Sequence, residues 1–422
     1  MGKGPSTNKL KIINDPVYGF IKIPYDIIYD LIEHPLFQRL RRIRQLGLTN
    51  YVYPGATHTR FQHAVGAMYL MGQAIEAIRS RGHEITENEA RAVTIAILLH
   101  DIGHGPFSHS LENSLIRNTS HETISLMFME QLNEEFGEKL DMAIRIFKND
   151  YPKRFLHQLV SSQLDMDRLD YLKRDSFFTG VTEGVIGSDR IIKMLNVVND
   201  QLVVDEKGIY SIEKFLIARR LMYWQVYLHR TVVSSEQVLV MMLKRAQKLK
   251  ADGQELFATP ALKYFLTDAP GKFSPSNQKL FLAQFAQLDD NDILASAKVW
   301  CNNSDRVLSF LSAGLVNRDL LGIQLNHGPF EEFMLKSMRL EVANHLSISI
   351  EDASYLVVSD SVSNYAYTDM DDRISILDKK GKIRDIAEAS DMLNIAVISK
   401  TVRKYFLCYP RFLKELLDLD TL

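Results

Sequence analysis

His100-Asp101-Ile102-Gly103-His104-Gly105-Pro106-Phe107-Ser108-His109 is the stretch of this chain best equipped for chemistry. An adjacent His-Asp pair closes the apolar run Ala92 to Leu99, and two more histidines follow at once. Seven of the twelve histidines fall between His58 and His121, so the imidazoles are concentrated rather than scattered. Imidazoles grouped with carboxylates beside apolar helical runs are what a metal-centred hydrolytic site needs. A lone histidine on an apolar face is usually a hydrogen-bonded core residue. Four histidines between positions 100 and 121 fit that description poorly.

Two imidazoles and two carboxylates suit a divalent transition metal and leave positions for water and substrate. His100 and Asp101 supply one of each. The segment Leu164 to Asp175 supplies further acids, and Asp167, Tyr171 and Asp175, spaced by four, share one helical face. His58 and His63 compete as the other imidazole. Arg60, one turn before His63, could hold an anionic group near a metal. Arg39, Arg41, Arg42 and Arg44 form a basic cluster on a segment that reads as an amphipathic helix, a surface able to touch nucleic acid or a regulatory nucleotide.

The elements that must position these groups are mostly helical. Leu10-Lys11-Ile12-Ile13, the turn signal Asn14-Asp15-Pro16 and Phe20-Ile21-Lys22-Ile23 read as a short hairpin. From Tyr25 the periodicity is helical. Leu36, Leu40, Ile43 and Leu46 share a face that ends at Gly47. Helices are expected over 59–78, 87–102, 107–115, 122–132, 140–147, 152–163 and 164–175, with Gly103 as a C-terminal stop. A small hairpin is expected around Glu206-Lys207, then one very long helix from Ser211 to Leu249, with more helices over 259–315. Tyr355 to Ser359, Ile374 to Leu377 and Tyr405 to Cys408 read as strands. The fold expected is mainly α: a helical body over residues 1–305 and a smaller α+β unit over 306–422.

Composition narrows the classes. With 46% hydrophobic and 24% charged residues the chain is ordinary for a globular protein. A net charge of −2 makes the whole chain no electrostatic trap for nucleic acid, so any anion site must be local. Two cysteines, Cys301 and Cys408, suit a reducing compartment and no disulfide framework. Without an apolar signal core or a membrane-length run, a cytoplasmic protein is expected.

The arrangement resembles the HD superfamily of metal-dependent phosphohydrolases. Within it the chain is similar to the dNTP triphosphohydrolases, which include bacterial dGTP triphosphohydrolases and the vertebrate SAM-and-HD-domain enzyme. The resemblance is carried by Lys11 to Pro16, Phe37 to Arg41, Gln45-Leu46-Gly47, Tyr53 to Ala56, Thr59 to His63, His100 to His109, His121-Glu122 and Asp165 to Tyr171. Few residues precede Lys11, so no SAM domain is expected there. The resemblance implies an HD-domain helical body and a divalent ion, either Fe, Mn, Zn or Ni, with Mg accompanying the nucleotide. It implies His63, His100, Asp101 and Asp167 as metal ligands, which favours His63 over His58. His104, His109 and His121 would surround the phosphates, with Glu112, often Asp in the family, partnering a histidine. Gln45 and Leu46 match deoxyribose contacts, Arg60 and Arg219 phosphate contacts, and Tyr171, Asp175 and Tyr227 sugar and base contacts. Arg168 stands where the vertebrate enzyme has Lys.

The implied reaction is hydrolysis of a dNTP, dGTP included, at the α-phosphorus, yielding a deoxynucleoside and inorganic triphosphate. His109 or His121 would protonate the leaving 5′-oxygen while arginines spread the charge of the triphosphate. Leu46 would pack beneath the ribose near C2′ and favour deoxynucleotides. Lys11, Ile12, Asn14, Gln38 and Arg41 match part of an activating-nucleotide site, and the resemblance implies a homo-oligomer, dimer or tetramer. The alternatives are another HD phosphohydrolase, such as a nucleotidase or a signalling-nucleotide hydrolase, or a regulatory HD protein that only binds nucleotides or nucleic acid. Signalling-nucleotide hydrolases carry a Lys or acidic residues soon after the HD pair, whereas Gly103-His104-Gly105 follows it here.

Overall fold

The computed structural model describes residues 11–107, 114–116, 119–267, 277–364, 373–391 and 402–416. His109, Glu112 and most of the helix expected over 107–115 lie outside them. The described chain is mainly α, with small sheets. The N-terminal hairpin is as expected: β1 (Ile12–Asp15) pairs antiparallel with β2 (Gly19–Lys22).

The helix Arg60–Ser80 runs through the core, and Phe61, His63, Val65, Met68, Met71, Ile75 and Ile78 are all buried along it. Its first turn is closed by Gln62, whose Oε1 accepts the Thr59 N–H at 2.8 Å. The helices Glu87–Leu99 and Met166–Thr179 pack against it. Glu87–Leu99 opens with a capping box in which Glu89 Oε2 accepts the Thr86 N–H at 2.8 Å. Its residues Ala92 to Leu99 are buried continuously. Met166–Thr179 begins with Asp165 accepting the Arg168 N–H at 2.7 Å and ends at Gly180, in the left-handed conformation at φ +74°.

Helix Glu87–Leu99 stops three residues before the expected end at Ile102, so His100 to Gly103 form a turn. The turn is anchored on the helix His121–Glu135. Ser125 Oγ donates to the His100 carbonyl at 2.7 Å and accepts the Gly103 N–H at 2.9 Å. A Cβ at Gly103 would lie 2.2 Å from both the His121 carbonyl oxygen and the Ser125 amide nitrogen, and neither backbone atom yields easily. Gly103→Ala is therefore expected to destabilise the protein by about 1–3 kcal/mol, the usual cost of overpacking. Urea denaturation measures this, and an unchanged midpoint would contradict the tight packing described.

Four sequence expectations are corrected. The helix through Leu36 to Leu46 is instead a single turn, Pro35–Gln38, a 3-10 turn, Arg39–Arg42, extended chain at Ile43 and Arg44, and a turn over 45–48. The basic cluster is dispersed with it. Arg39 is fully buried and donates to the Leu288 and Ile102 carbonyls at 3.3 and 2.8 Å. Arg42 pairs with Asp289, and Arg44 donates to Asn50 Oδ1 at 3.3 Å. The hairpin expected around Glu206-Lys207 lies earlier, between β3 (Leu195–Val198) and β4 (Gln201–Asp205). Asn199 and Asp200 turn it at φ +51° and +57°, as a primed hairpin turn requires. The long helix from Ser211 is interrupted: Ile209–Met222 passes through a π-helical turn, Tyr223–Tyr227, before Arg230–Ala251 begins. The strand expected at Tyr355 starts at Val358.

Of the later strands, β5 (Gly322–Asn326) and β6 (Val358–Asn364) flank β9 (Val402–Tyr409) in an antiparallel sheet. β7 (Ser375–Leu377) pairs antiparallel with β8 (Ile383–Asp385) and parallel with β4, extending the β3–β4 hairpin into a four-stranded sheet. Arg245 bonds Asp305 Oδ1 at 3.0 Å and Asp352 Oδ1 at 2.5 Å, so residues on either side of position 305 are joined. No helix among the described residues is long and apolar enough to cross a membrane.

Candidate metal centre

Three elements deliver four donor groups to one place. The helix Arg60–Ser80 brings His63, the turn after Glu87–Leu99 brings His100 and Asp101, and the first turn of Met166–Thr179 brings Asp167. His63 Nε2 lies 3.1 Å from Asp167 Oδ1 and 3.8 Å from Asp101 Oδ2. His100 Nε2 lies 3.4 Å from Asp101 Oδ1 and 3.5 Å from Asp167 Oδ1. Donors held about 2.0–2.2 Å from one ion stand roughly 3–3.5 Å apart, so the spacing suits a single first-row divalent metal. Both Nε2 atoms are buried, and neither has a hydrogen-bond partner of acceptable geometry. Buried polar atoms are seldom left so, and these two converge with carboxylates on a common point. The residues present therefore fit the ion.

The other face of each imidazole is fixed. His63 Nδ1 bonds Asp170 Oδ2 at 2.8 Å, and His100 Nδ1 bonds the Ile97 carbonyl at 2.6 Å. Both contacts place the ring hydrogen on Nδ1 and leave Nε2 as the donor lone pair. Electrostatics agree. Burial opposes a charge on His63, yet the Asp167 and Asp170 carboxylates raise its pKa to about 10. Burial likewise opposes ionisation of Asp167, and the two imidazoles nevertheless hold it well below the usual carboxylate range. The centre favours positive charge at Nε2.

Asp101 also faces a second group. His104 Nε2 lies 3.2 Å from Asp101 Oδ1, and His104 stacks on His121 with centroids 3.9 Å apart and planes 14° apart. Burial and then the neighbouring Arg60 push the His104 pKa well below its ordinary value, which keeps the ring neutral. Arg60 Nη1 donates to Asp101 Oδ2 at 2.6 Å.

The other expected contacts are distributed as follows. Tyr227 donates to Asp175 Oδ2 at 2.8 Å, and the other oxygen of Asp175 bonds His58 Nε2 at 2.7 Å. His58 is thus occupied away from the four donors. Tyr171 meets Tyr227 edge to face, with centroids 6.3 Å apart. Burial raises the Tyr171 pKa, and the guanidinium groups of Arg219 and Arg168 are close enough to act on it. Arg168 donates to the Ser162 carbonyl at 2.6 Å and Arg219 to Gln163 Oε1 at 2.9 Å. Gln45 carries a buried amide oxygen without a partner among the described residues, and Leu46 packs half-buried on the core. Of the proposed activator residues, Lys11 sits over the Tyr29 ring, and Arg41 donates to Gln38 Oε1 at 2.8 Å while Gln38 donates to the Ile32 carbonyl at 2.7 Å. Ile12 is exposed on β1, the strand that also carries Asn14. Ser125, Asp170, Arg174 and Asp15 were not among the residues expected from sequence. The i, i+4 pair Asp170–Arg174 was the available signal.

The fold is mainly helical, and its buried His/Asp cluster could hold a divalent metal. Residues 60–175 match the HD domain and residues 186–264 the HD associated region. The chain is 56% identical to a phosphohydrolase of Bacteroides thetaiotaomicron in a crystal structure, with a TM-score of 0.91 over 94% of this chain and 99% of that one. It is 32% identical to the protein YwfO of Bacillus subtilis over 95% of this chain and 92% of that one. It is 33% identical to the deoxynucleoside triphosphate triphosphohydrolase SAMHD1 homolog of Dictyostelium discoideum over 55% of this chain, matching 48% of that protein. The chain belongs to the HD family of phosphohydrolases.

Proposed function

We propose that this chain hydrolyses deoxynucleoside triphosphates, dGTP among them, to a deoxynucleoside and inorganic triphosphate. The observation that carries the reading is the convergence of His63, His100, Asp101 and Asp167 beside the stacked pair His104–His121. A divalent ion bound there supplies Lewis-acid activation of a phosphate and a water of lowered pKa. His121 begins its helix half-exposed and, with His109 as the alternative, would protonate the departing 5′-oxygen. His104, held neutral, donates or accepts a hydrogen bond without adding charge. Arg60, Arg168 and Arg219 supply the cations that a triphosphate needs. Asp175 fixes the Tyr227 hydroxyl, and Tyr227 meets Tyr171 edge to face; these rings and Leu46 would supply apolar walls for a sugar that lacks a 2′-hydroxyl. The similarity to the SAMHD1 homolog supports the same substrate class.

The test is product analysis by phosphorus NMR with metal-loaded protein and dATP, dGTP or ATP in turn. Intact triphosphate is expected, with a higher kcat/KM for dATP than for ATP. Phosphate or pyrophosphate as the first product would overturn the reaction, and equal specificity constants would overturn the sugar preference.

A further inference from the structure

A buried chain of charges runs from the N-terminal hairpin to the metal centre. Asp15, at the end of β1, accepts from Arg174 Nη1 through its Oδ2 at 2.8 Å. Arg174 turns its other two arms to Asp170: Nε reaches Oδ2 at 2.9 Å and Nη2 reaches Oδ1 at 3.1 Å. Asp170 Oδ2 then bonds His63 Nδ1 at 2.8 Å. Asp15 is 3% exposed, and Arg174, Asp170 and His63 are at 0%. The Tyr18 ring lies over the guanidinium, 5.6 Å from its carbon. Gly66 makes room for the pair: a Cβ there would lie 2.1 Å from Asp170 Oδ1 and 2.2 Å from Arg174 Nη2.

We propose that Asp15 and Arg174 are positioning residues of the metal centre, through which the hairpin sets both the orientation of His63 and the charge behind it. The proposal rests on the reading of His63 as a metal ligand. Two physical effects carry it. Arg174 spans Asp15 and Asp170, and its planar fork fixes the carboxylate that in turn fixes the imidazole. Two carboxylates against one guanidinium leave a net negative charge behind a neutral imidazole, which strengthens its hold on a cation. Without the Asp15 charge that excess is gone. The N-terminal hairpin, 159 residues from Arg174 in sequence, is therefore a working part of the centre and more than a cover on the helix Arg60–Ser80.

The experiment titrates Mn(II) alone into the metal-free full chain, with free Mn(II) followed by its EPR signal and no nucleotide present. Asp15→Asn keeps the size of the side chain and an oxygen for the turn, where Oδ1 accepts the Val17 and Tyr18 N–H groups at 2.9 and 3.0 Å. It is expected to weaken Mn(II) binding by about 10-fold, in the lower range for outer partners of metal ligands. Arg174→Lys, which keeps the charge but cannot span both acids, is expected to do the same and carries the test should Asp15→Asn fail to fold. In an Asp170→Asn background the Asp15 change should add much less than it does in the parent, because its hydrogen-bonded route to His63 is already cut and only its through-space charge remains. Denaturation of the metal-free proteins separates a structural role, which would lower stability and leave the affinity of the folded protein unchanged. Parent-like Mn(II) affinity in both Asp15→Asn and Arg174→Lys, beside loss of Mn(II) in Asp101→Ala, overturns the relay alone. Retention of Mn(II) by Asp101→Ala as well overturns the metal centre and the relay with it.

Discussion

Asp101→Ala is expected to lose the divalent ion and turnover together. Its carboxylate is the hub of the site: one oxygen approaches His100 and His104 at 3.4 and 3.2 Å, and the other accepts from Arg60 and approaches His63. Removing it leaves two imidazoles and Asp167, too few donors for tight binding in competition with solvent. It also takes from buried Arg60 the acid to which it is bonded, and breaking a buried pair of this kind costs about 3–5 kcal/mol. That cost makes Asp101→Asn the better partner variant. It keeps the volume and one carbonyl oxygen, so it should fold more securely while still binding metal poorly. The expected result is less than a tenth of the parent's metal content in both variants, measured by elemental analysis after dialysis, with activity falling at least in proportion. A folded Asp101→Asn protein with full metal and full turnover would remove Asp101 from the ligand set.

How far the sequence disclosed this centre depends on where each residue finds its partner. The candidate donor types were legible because the His100-Asp101 pair and the 167–175 helix face offer imidazole and carboxylates by type and spacing. Their positioning groups were less visible. Asp170 and Arg174 are an i, i+4 pair of a kind usually solvated, and sequence does not show that both are fully buried or that Arg174 also bonds Asp15 of the hairpin. The same physics explains the misread elements. Leu36 to Leu46 has helical periodicity, but Arg39 is drawn inward to carbonyls 63 and 249 residues away, and the helix gives way to a 3-10 turn. Ile209 and Tyr210 looked like a second strand, yet β4 had already found its partner upstream across Asn199-Asp200. The π-helical turn at Tyr223–Tyr227 has no plain sequence mark, although it positions Tyr227 for its bond to Asp175. π-helical turns of this kind recur at functional sites. Local pattern marked the candidate donors; long-range hydrogen bonds decided where the elements bend.

His121→Ala is expected to lower kcat by about 10²–10⁴-fold, the range for loss of a general acid, with a much smaller change in KM. His121 differs from the other described histidines of the site. His63 and His100 have their Nδ1 atoms bonded and their Nε2 atoms directed at the metal position, so neither has a proton to give there. His104 is buried and held neutral by its surroundings, which makes it a poor source of a proton. His121 is the more exposed ring of the stacked pair, at the N-terminal end of a helix whose next turn carries the Ser125 bonds to the His100–Gly103 turn. A side chain mounted in that way is held in register with the metal ligands while it stays accessible to exchange protons with water. The measurement is a comparison of kcat and KM for dATP between parent and His121→Ala, with metal content determined on the same samples. A second substrate with a better leaving group sharpens it. If His121 supplies the proton, an aryl triphosphate, in which a phenol takes the place of the nucleoside as leaving group, should lose far less rate in the variant than dATP does, because an acidic phenol departs without help. An equal loss on both substrates, or a defect confined to KM, would assign His121 to binding and leave the protonation to another group.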